Sequence, residues 1–157
     1  MTKKILITGA NGFLGSAITK LAVKKGFKVN VLVRKKSNLE NLEKISSRIN
    51  IYYGDVTLIE SIHDAIFDSD IVFHVAADYR LWAKKPSEIY MSNVFGSENI
   101  ALKVIELKKF LIYTSSVATL GIKNGEISDE KNLGDFSQML GDYKKSKFLA
   151  EMIIKKL

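Results

Sequence analysis

The chain has 157 residues, of which 46% are hydrophobic and 26% charged, and this length suffices to bury the core of one globular domain. It contains no cysteine, which excludes disulfide bonds and thiolate metal sites. No apolar run approaches the roughly 20 residues that span a bilayer. Lys3 and Lys4 precede only a short apolar run that ends at Gly9, which is typical of a first strand rather than a signal peptide. We therefore expect a cytoplasmic protein without a membrane span.

The formal net charge of +7 raises the question of nucleic-acid binding. The lysines are scattered over predicted helices and loops, and no stretch interleaves basic residues with exposed aromatic ones. A lysine-rich solvated surface accounts for the charge, and we expect no nucleic-acid partner.

Short apolar runs alternate with segments of helical spacing along the whole chain. The pattern predicts strands over residues 4–8, 28–33, 50–53, 70–75 and 110–114. It predicts helices over residues 13–25, near 39–45, and over 59–67, 86–107 and 141–157, with a loop over 119–140. This alternation predicts one domain of the α/β class, residues 1–157, with a Rossmann-like order of elements. We expect a doubly wound parallel sheet of strand order 3-2-1-4-5 with helices on both faces.

Three glycines, Gly9, Gly12 and Gly15, stand between the first predicted strand and the first helix. Glycines permit a tight turn and let a diphosphate approach the backbone, while the helix N-terminus supplies N–H groups and a positive dipole end. The spacing is Gly-x-x-Gly-x-x-Gly rather than the general Gly-x-Gly-x-x-Gly, and three glycines alone can be only a loop. Their place between a strand and an amphipathic helix predicts a dinucleotide site.

The ends of the second and third strands bear on the choice of dinucleotide. An acidic residue about 20 positions after the glycines would bind the ribose 2′-hydroxyl of NAD, but Arg34 stands in that place. A guanidinium suits a 2′-phosphate, so NADP(H) is favoured and NAD(H) is the alternative. The other interpretation is that Arg34 belongs only to a solvated basic turn. Asp55 could accept a hydrogen bond from the adenine amino group, or it could form an Asx turn or helix cap.

Tyr143 and Lys147 lie four residues apart on the last predicted helix and so share one face. A neighbouring ammonium favours the phenolate and lowers the pKa of the tyrosine, which suits general acid–base chemistry. Ser116 follows the fifth strand at the carboxyl edge, where open α/β sheets bind ligands, and its hydroxyl can hold a substrate oxygen. Asn93 lies mid-helix, where it could carry a proton-relay water or cap a kink.

The two histidines do not predict a metal site. His63 lies on a predicted surface helix, and His74 ends the fourth strand, where a packed residue that lines the cofactor cleft is expected. A dinucleotide site together with a proton donor therefore predicts redox chemistry on a small molecule without a metal.

Six motifs occur in the order and spacing of one known family: Thr8-Gly-Ala-Asn-Gly-Phe-Leu-Gly15, Gly54-Asp-Val56, His74-Val-Ala-Ala77, Asn93-Val-Phe-Gly96, Tyr113-Thr-Ser-Ser116 and Tyr143-x-x-x-Lys147. The whole chain therefore resembles the extended short-chain dehydrogenase/reductase family (NAD-dependent epimerases and dehydratases). The segments 72–83 and 113–121 are most similar to the dihydroflavonol-4-reductase-like branch, and within it to bacterial members called hopanoid-associated sugar epimerases.

The resemblance implies that Ser116, Tyr143 and Lys147 form a catalytic triad, with Asn93 as a candidate fourth member. Tyr143 and Lys147 would also touch the nicotinamide ribose. The implied cofactor contacts comprise the glycine turn and three strand ends: Gly9, Asn11, Gly12, Phe13, Leu14, Gly15, Arg34, Asp55, Val56, Ala76 and Ala77.

The resemblance also implies substrates that are small carbonyl compounds, alcohols or nucleotide sugars. Net reduction by hydride transfer and epimerisation share the same catalytic residues, and nothing in residues 1–157 separates them. Family members are normally longer, so the C-terminal lobe that selects the substrate is expected to be absent, and a catalytically incompetent dinucleotide-binding fragment is a further alternative. A homodimer through the helices at 86–107 and 141–157 is expected.

Overall fold

A five-stranded parallel sheet organises the computed structural model, which describes residues 2–121, 127–132 and 134–157. Its strand order, β3-β2-β1-β4-β5, confirms the predicted doubly wound sheet, and every pairing is parallel. Each strand lies within two residues of its predicted bounds. The strands are β1 Lys4–Thr8, β2 Lys28–Val33, β3 Ile49–Tyr53, β4 Ile71–His74 and β5 Phe110–Tyr113.

The α-helices follow the strands in the predicted order. In the described part of the chain they are α1 Phe13–Lys24, α2 His63–Phe67, α3 Ser87–Tyr90, α4 Gly96–Glu106 and α5 Gly141–Lys156. None of the helices described has the length and apolar character that a membrane crossing requires.

Two predicted helices differ in type from the expectation. The helix near 39–45 is a 3-10 helix, Glu40–Arg48, and the first half of the helix over 59–67 is also 3-10, Ile59–Ile62. A 3-10 helix rises further per residue than an α-helix and often serves as a connector between elements. The predicted loop over 119–140 includes residues 122–126 and 133, which lie outside the described residues.

Apolar side chains cover both faces of the sheet because successive residues of a strand point to opposite sides. Ile5 and Ile7 of β1 belong to one apolar cluster, which contains Val23 of α1. Leu6 belongs to a second cluster, which contains Ile100 of α4. The sheet therefore lies between two helical layers, and its carboxyl edge carries the candidate site.

The long helix predicted over 86–107 contains a π-helical turn, Met91–Phe95, between α3 and α4. Such a turn accommodates one extra residue and frequently marks a functional site. Gly96 follows it directly, and a Cβ on Gly96 would lie 2.6 Å from Cγ2 of Val56. The helix therefore passes close to the β3–α2 connection, and Asn93 within the turn is buried.

Candidate active site

The three predicted glycines build the turn between β1 and α1. Gly9 has a φ of +66°, and a hydrogen bond of 3.0 Å from the Gly12 amide to the Gly9 carbonyl closes the turn. A Cβ on Gly9 would lie 2.8 Å from Cα of Ala76, and a Cβ on Gly15 would lie 2.1 Å from the Gly9 carbonyl oxygen. The turn, the start of α1 and the segment after β4 therefore meet through their backbones, with no room for side chains.

The N-terminus of α1 opens onto this turn. Gly12 occupies the N-cap position without a side-chain cap, and no acidic residue lies in the first helical turn. The first amides of a helix have no acceptor within the helix, and its dipole makes this end positive. Phe13 is 96% exposed, so its side chain does not cover these amides. The arrangement can hold an anionic group such as a diphosphate.

Arg34 follows β2 at the same carboxyl edge, and its side chain is exposed. Hydrogen bonds from Arg80 are the main reason that the pKa of Asp78 is lowered, and the charge of Arg34 adds to the effect. Arg34 therefore stands, exposed, at the same carboxyl edge as the glycine turn.

Asp55 forms the Asx turn that was one of its two predicted roles. Its Oδ1 accepts from the Thr57 amide at 2.9 Å and from the Thr57 hydroxyl at 2.8 Å. These bonds occupy one carboxylate oxygen, and a contact with adenine stays a prediction. The next residue, Val56, accepts a hydrogen bond from Asn99 of α4 through its carbonyl and thereby ties this connection to the helix.

A buried chain of hydrogen bonds connects the end of β1 to the π-helical turn. The Thr8 hydroxyl accepts from the amide of Ala76 and from the preceding amide, each at 3.1 Å, so its own proton is directed to Nδ1 of His74 at 2.7 Å. The Ser97 hydroxyl donates to the Asn93 carbonyl, so it accepts from Nε2 of His74 at 3.0 Å. These directions assign the neutral His74 tautomer with its proton on Nε2.

Burial is the main reason that the pKa of His74 is lowered to about 3, and the charge of Lys147 adds to the effect. His74 is thus a packed residue, as predicted, with both ring nitrogens bonded inside the protein. His63 on α2 stacks on Phe67 with ring centroids 6.0 Å apart. Among the residues that the structure describes, no group of three His, Asp or Glu side chains could hold a metal ion.

Asn93 fixes the segment after β4 to α5. Its Oδ1 accepts from the Asp78 amide at 2.6 Å, and its Nδ2 donates to the Asp78 carbonyl at 2.8 Å and to the Ser146 hydroxyl at 2.9 Å. Both side-chain N–H groups therefore have protein acceptors. The Asn93 amide thus clamps the π-helical turn to the segment after β4 and to Ser146, the residue before Lys147. A role in proton relay stays a prediction.

Lys147 is 2% exposed, and its ammonium is bound to the end of β5. It donates to the Tyr113 hydroxyl at 2.8 Å and to the Thr114 carbonyl at 2.9 Å. Burial lowers the pKa of Lys147 to about 8, against an opposing effect of the charge of Glu151. Burial likewise raises the pKa of Tyr113 to about 12. At neutral pH, Lys147 is therefore a buried cation held by two neutral oxygens, and Tyr113 is a neutral phenol.

Ser116 begins the short turn Val117–Thr119 after β5, and its Oγ accepts from the Ala118 amide at 3.1 Å. The neighbouring Ser115 hydroxyl donates to Glu151, and so does the Thr119 hydroxyl, at 2.9 Å. Ser116 is therefore flanked by two residues that bind one carboxylate of α5.

The predicted residues divide into two groups at one edge of the sheet. The glycine turn, Arg34 and Asp55 follow β1, β2 and β3, whereas Ser116 follows β5 and Lys147 lies against it. Sequence reasoning missed the clamping contacts of Asp78, Tyr113 and Glu151. The sequence spacing could have indicated Glu151, since it lies four residues beyond Lys147 on the same helix face. The bond of Tyr113 to Lys147 is a tertiary contact that no spacing indicates.

Comparisons with known proteins agree with this architecture. The sequence model of the "NAD dependent epimerase/dehydratase family" matches residues 5–157. A protein of Synechocystis sp. that is provisionally named dihydroflavonol 4-reductase is 34% identical over 153 residues, which are 96% of this chain and 44% of that protein. The 2-alkyl-3-oxoalkanoate reductase of Shewanella oneidensis is 31% identical over 150 residues, which are 94% of this chain and 37% of that enzyme.

Among solved structures, the protein gox2253 superimposes with a TM-score of 0.91 at 36% identity, over 99% of this chain and 47% of that one. The chain thus spans less than half the length of each of these three relatives.

Proposed function

Since the chain belongs to the NAD dependent epimerase/dehydratase family, we propose that residues 1–157 form the NAD(P)-binding domain of an oxidoreductase of the dihydroflavonol-4-reductase-like type. The domain binds the dinucleotide across the carboxyl edge of the sheet, with the diphosphate at the glycine turn. Its substrate is a small carbonyl compound, which the enzyme reduces by hydride transfer. The observation that carries this proposal is the buried Lys147 ammonium, four residues from Tyr143 and held at the end of β5.

The proposed chemistry assigns one task to each of three side chains. When bound, the nicotinamide supplies the hydride. Tyr143 gives its phenolic proton to the substrate oxygen, and Ser116 holds that oxygen by a hydrogen bond. The Lys147 ammonium favours the resulting phenolate and holds the nicotinamide ribose. With its pKa at about 8, Lys147 is mostly charged at neutral pH.

NADP(H) is the proposed cofactor, with NAD(H) as the alternative. Its support is the position of Arg34, which directly follows β2 at the carboxyl edge and is exposed. Arg34→Ala is expected to weaken NADP(H) binding about tenfold or more and to leave NAD(H) binding unchanged, because only the 2′-phosphate loses charge-assisted hydrogen bonds.

Titration of both cofactors against wild type, Arg34→Ala and the neighbouring control Lys36→Ala measures this effect. Equal affinities of wild type for the two cofactors, with no change of their ratio in Arg34→Ala, would contradict the preference.

Tyr143→Phe tests the catalytic assignment in the enzyme that contains this chain. Loss of turnover with NADP(H) affinity retained is the expected result, because the variant lacks only the transferable proton. Tyr52→Phe is the matched control, since its hydroxyl binds Asp68 at 2.8 Å, away from the carboxyl edge. Full activity of Tyr143→Phe would refute the proton-transfer role.

A second candidate function is epimerisation or dehydration of a nucleoside-diphosphate sugar. The family description itself, "NAD dependent epimerase/dehydratase", favours it. Epimerisation returns the hydride to the substrate, so the two functions differ in whether the reduced cofactor is consumed in proportion to product. Measurement of NADPH oxidation with carbonyl compounds and with nucleotide sugars separates them.

Three further proposals concern the state of the protein. The chain acts in the cytoplasm, as a homodimer that packs the α3–α4 region and α5 of each copy together. Catalysis requires the additional chain length that the relatives have. A 157-residue protein that binds NADP(H) without turnover is the alternative, in which the domain serves only as a dinucleotide-binding module.

A further inference from the structure

Glu151 is the acidic side chain through which α5 holds the turn after β5. Its Oε2 accepts a hydrogen bond from the Ser115 hydroxyl and another, at 2.9 Å, from the Thr119 hydroxyl. Its Oε1 forms an ion pair of 2.5 Å with Lys155, one helical turn further on. The Glu151 side chain is 21% exposed, whereas that of Lys155 is 55% exposed. One carboxylate oxygen therefore faces the turn and the other faces the surface.

The two hydroxyls that bind Glu151 lie on either side of Ser116. Ser115 directly precedes it, and the Thr119 hydroxyl also donates to the Ser116 carbonyl at 2.8 Å, so its one proton is shared between that carbonyl and Glu151. The Ser116 hydroxyl accepts from the Ala118 amide within the same turn. Glu151 thus fixes the distance between the Ser116 turn and the helix that carries Tyr143, from a position two helical turns beyond Tyr143.

Glu151 also acts on the charge of Lys147. The titratable groups that influence Lys147 or contact it are Tyr113 of β5, His74 of β4 and Glu151 of α5, with Tyr143 on the same helix face. His74 and Tyr113 are neutral at pH 7, so Glu151 is the one of these groups whose negative charge favours the ammonium. Burial would raise the pKa of Glu151, but its bonds from Lys155, Ser115 and Thr119 outweigh burial and lower it.

We propose that Glu151 is a positioning residue of the active site: it ties the Ser116 turn to α5 by two hydroxyl contacts, and it places a carboxylate one helical turn beyond Lys147. This inference rests on the proposed roles of Ser116 and Lys147. Glu151 itself touches neither substrate nor cofactor in this role. Because the tether and the charge use the same carboxylate, substitutions can remove one and keep the other.

Variants of the full chain separate the two effects. Glu151→Gln removes the charge and keeps an oxygen that can accept a hydrogen bond from a hydroxyl. The double variant Ser115→Ala/Thr119→Val removes both hydroxyls and keeps the charge, and Thr119→Val alone shows how much of its effect comes from the lost contact with the Ser116 carbonyl. Lys155→Gln is the matched control, because it removes the surface ion pair and leaves the contacts with the turn.

The readouts need neither substrate nor cofactor. NMR titration of the Lys147 side chain, assigned by its loss in Lys147→Met, measures the lysine pKa. Hydrogen exchange of the Ala118 amide measures whether it still donates to Ser116 Oγ. Glu151→Gln is expected to lower the pKa of Lys147 by on the order of one unit. The double variant is expected to speed Ala118 exchange about tenfold with the Lys147 titration unchanged. Lys155→Gln is expected to change neither value substantially.

An unchanged Lys147 titration in Glu151→Gln, or unchanged Ala118 exchange in the double variant, would overturn the inference. If Glu151→Gln fails to fold, the double variant still tests the tether, and Glu151→Asp, which keeps the charge, is expected to retain the Lys147 titration. Failure of the wild-type chain to bind either NADP(H) or NAD(H) would refute the proposed function and leave the Lys147 and Ala118 measurements valid, so the two failures are distinguishable.

Discussion

The glycine turn after β1 and the β5–α5 region are two halves of one candidate site, and the first is formed by main chain whereas the second is formed by side chains. The glycine turn consists of backbone: Gly9 and Gly15 sit where a Cβ would collide with neighbouring main-chain atoms. The β5–α5 region depends on polar side chains. The buried Lys147 ammonium donates a hydrogen bond to the Tyr113 hydroxyl, and Glu151 accepts hydrogen bonds from the turn after β5. The first half is specified by the absence of side chains, and the second by their hydrogen-bonding partners.

This difference predicts two kinds of sensitivity to change. In the glycine turn, any added atom must displace main chain, so damage is steric and independent of pH. In the β5–α5 region, the charges and protons of buried groups decide the energy, so damage depends on pH. His74 links the halves, because its hydrogen bonds connect Thr8 at the turn to Ser97 of α4.

The largest effect is expected for Gly15→Ala. The new Cβ would lie 2.1 Å from the Gly9 carbonyl oxygen, so the turn must deform, with a loss of unfolding free energy of about 4 kcal/mol or more. Gly26→Ala is the control for space alone: Gly26 has a positive φ, +82°, which Gly15 does not have, but no atom lies within 4 Å of its added Cβ. It is expected to cost about 1 kcal/mol. Denaturant unfolding measures both, and similar losses would disprove the steric account.

An intermediate effect is expected at His74 on acidification. Its folded pKa of about 3 lies below the ordinary 6.5, so the unfolded chain takes up a proton that the folded protein excludes. Stability is therefore lost as pH falls from 6.5 towards 3, by on the order of 3 kcal/mol at pH 4. His74→Gln should show a smaller loss over this window. Urea unfolding measures the loss of stability in both proteins. Equal losses in wild type and His74→Gln would exclude His74 as the source.

The smallest of the three effects is expected at Lys147 on alkalinisation. Its folded pKa of about 8 lies below the ordinary 10.5, so stability should rise with pH between these values as the folded protein releases the proton first. The contribution amounts to about 2 kcal/mol from pH 7 to 10. Lys147→Met lacks this rise, so its free energy of unfolding relative to wild type should fall as pH increases. A pH-independent difference would show that Lys147 is not titrating in this window.

Much of the fold was predictable because it follows from local patterns. Continuous apolar runs such as Ile5-Leu6-Ile7 predicted strands buried on both faces, and these residues are at most 4% exposed. The alternation of strands with helices predicted the order β3-β2-β1-β4-β5. The glycine spacing predicted the turn at Gly9, since only a position with positive φ and close backbone neighbours needs glycine so strictly.

The remaining features depend on tertiary contacts that no local pattern encodes. Spacing on one helix pairs Lys147 with Tyr143, whereas in the structure Tyr113, 34 residues away along the chain, accepts its hydrogen bond. The π-helical turn at Met91–Phe95 has no signature in the apolar periodicity, and it becomes understandable only once Asn93 is seen to bind Asp78 and Ser146. The 3-10 helix Glu40–Arg48 likewise shares the apolar spacing of an α-helix.

The all-parallel pairing of the sheet has a consequence for how the chain folds. The central strand β1 pairs with β4 through contacts such as Ile5 with Ile71, so a long stretch of chain must be ordered between the partners. No pair of strands in this sheet can form early as a hairpin, because every described pairing is parallel. Such non-local contacts slow folding relative to helical bundles of similar size. Refolding in milliseconds to seconds, with the β1–β4 pairing the last to gain protection, is the expected kinetic behaviour.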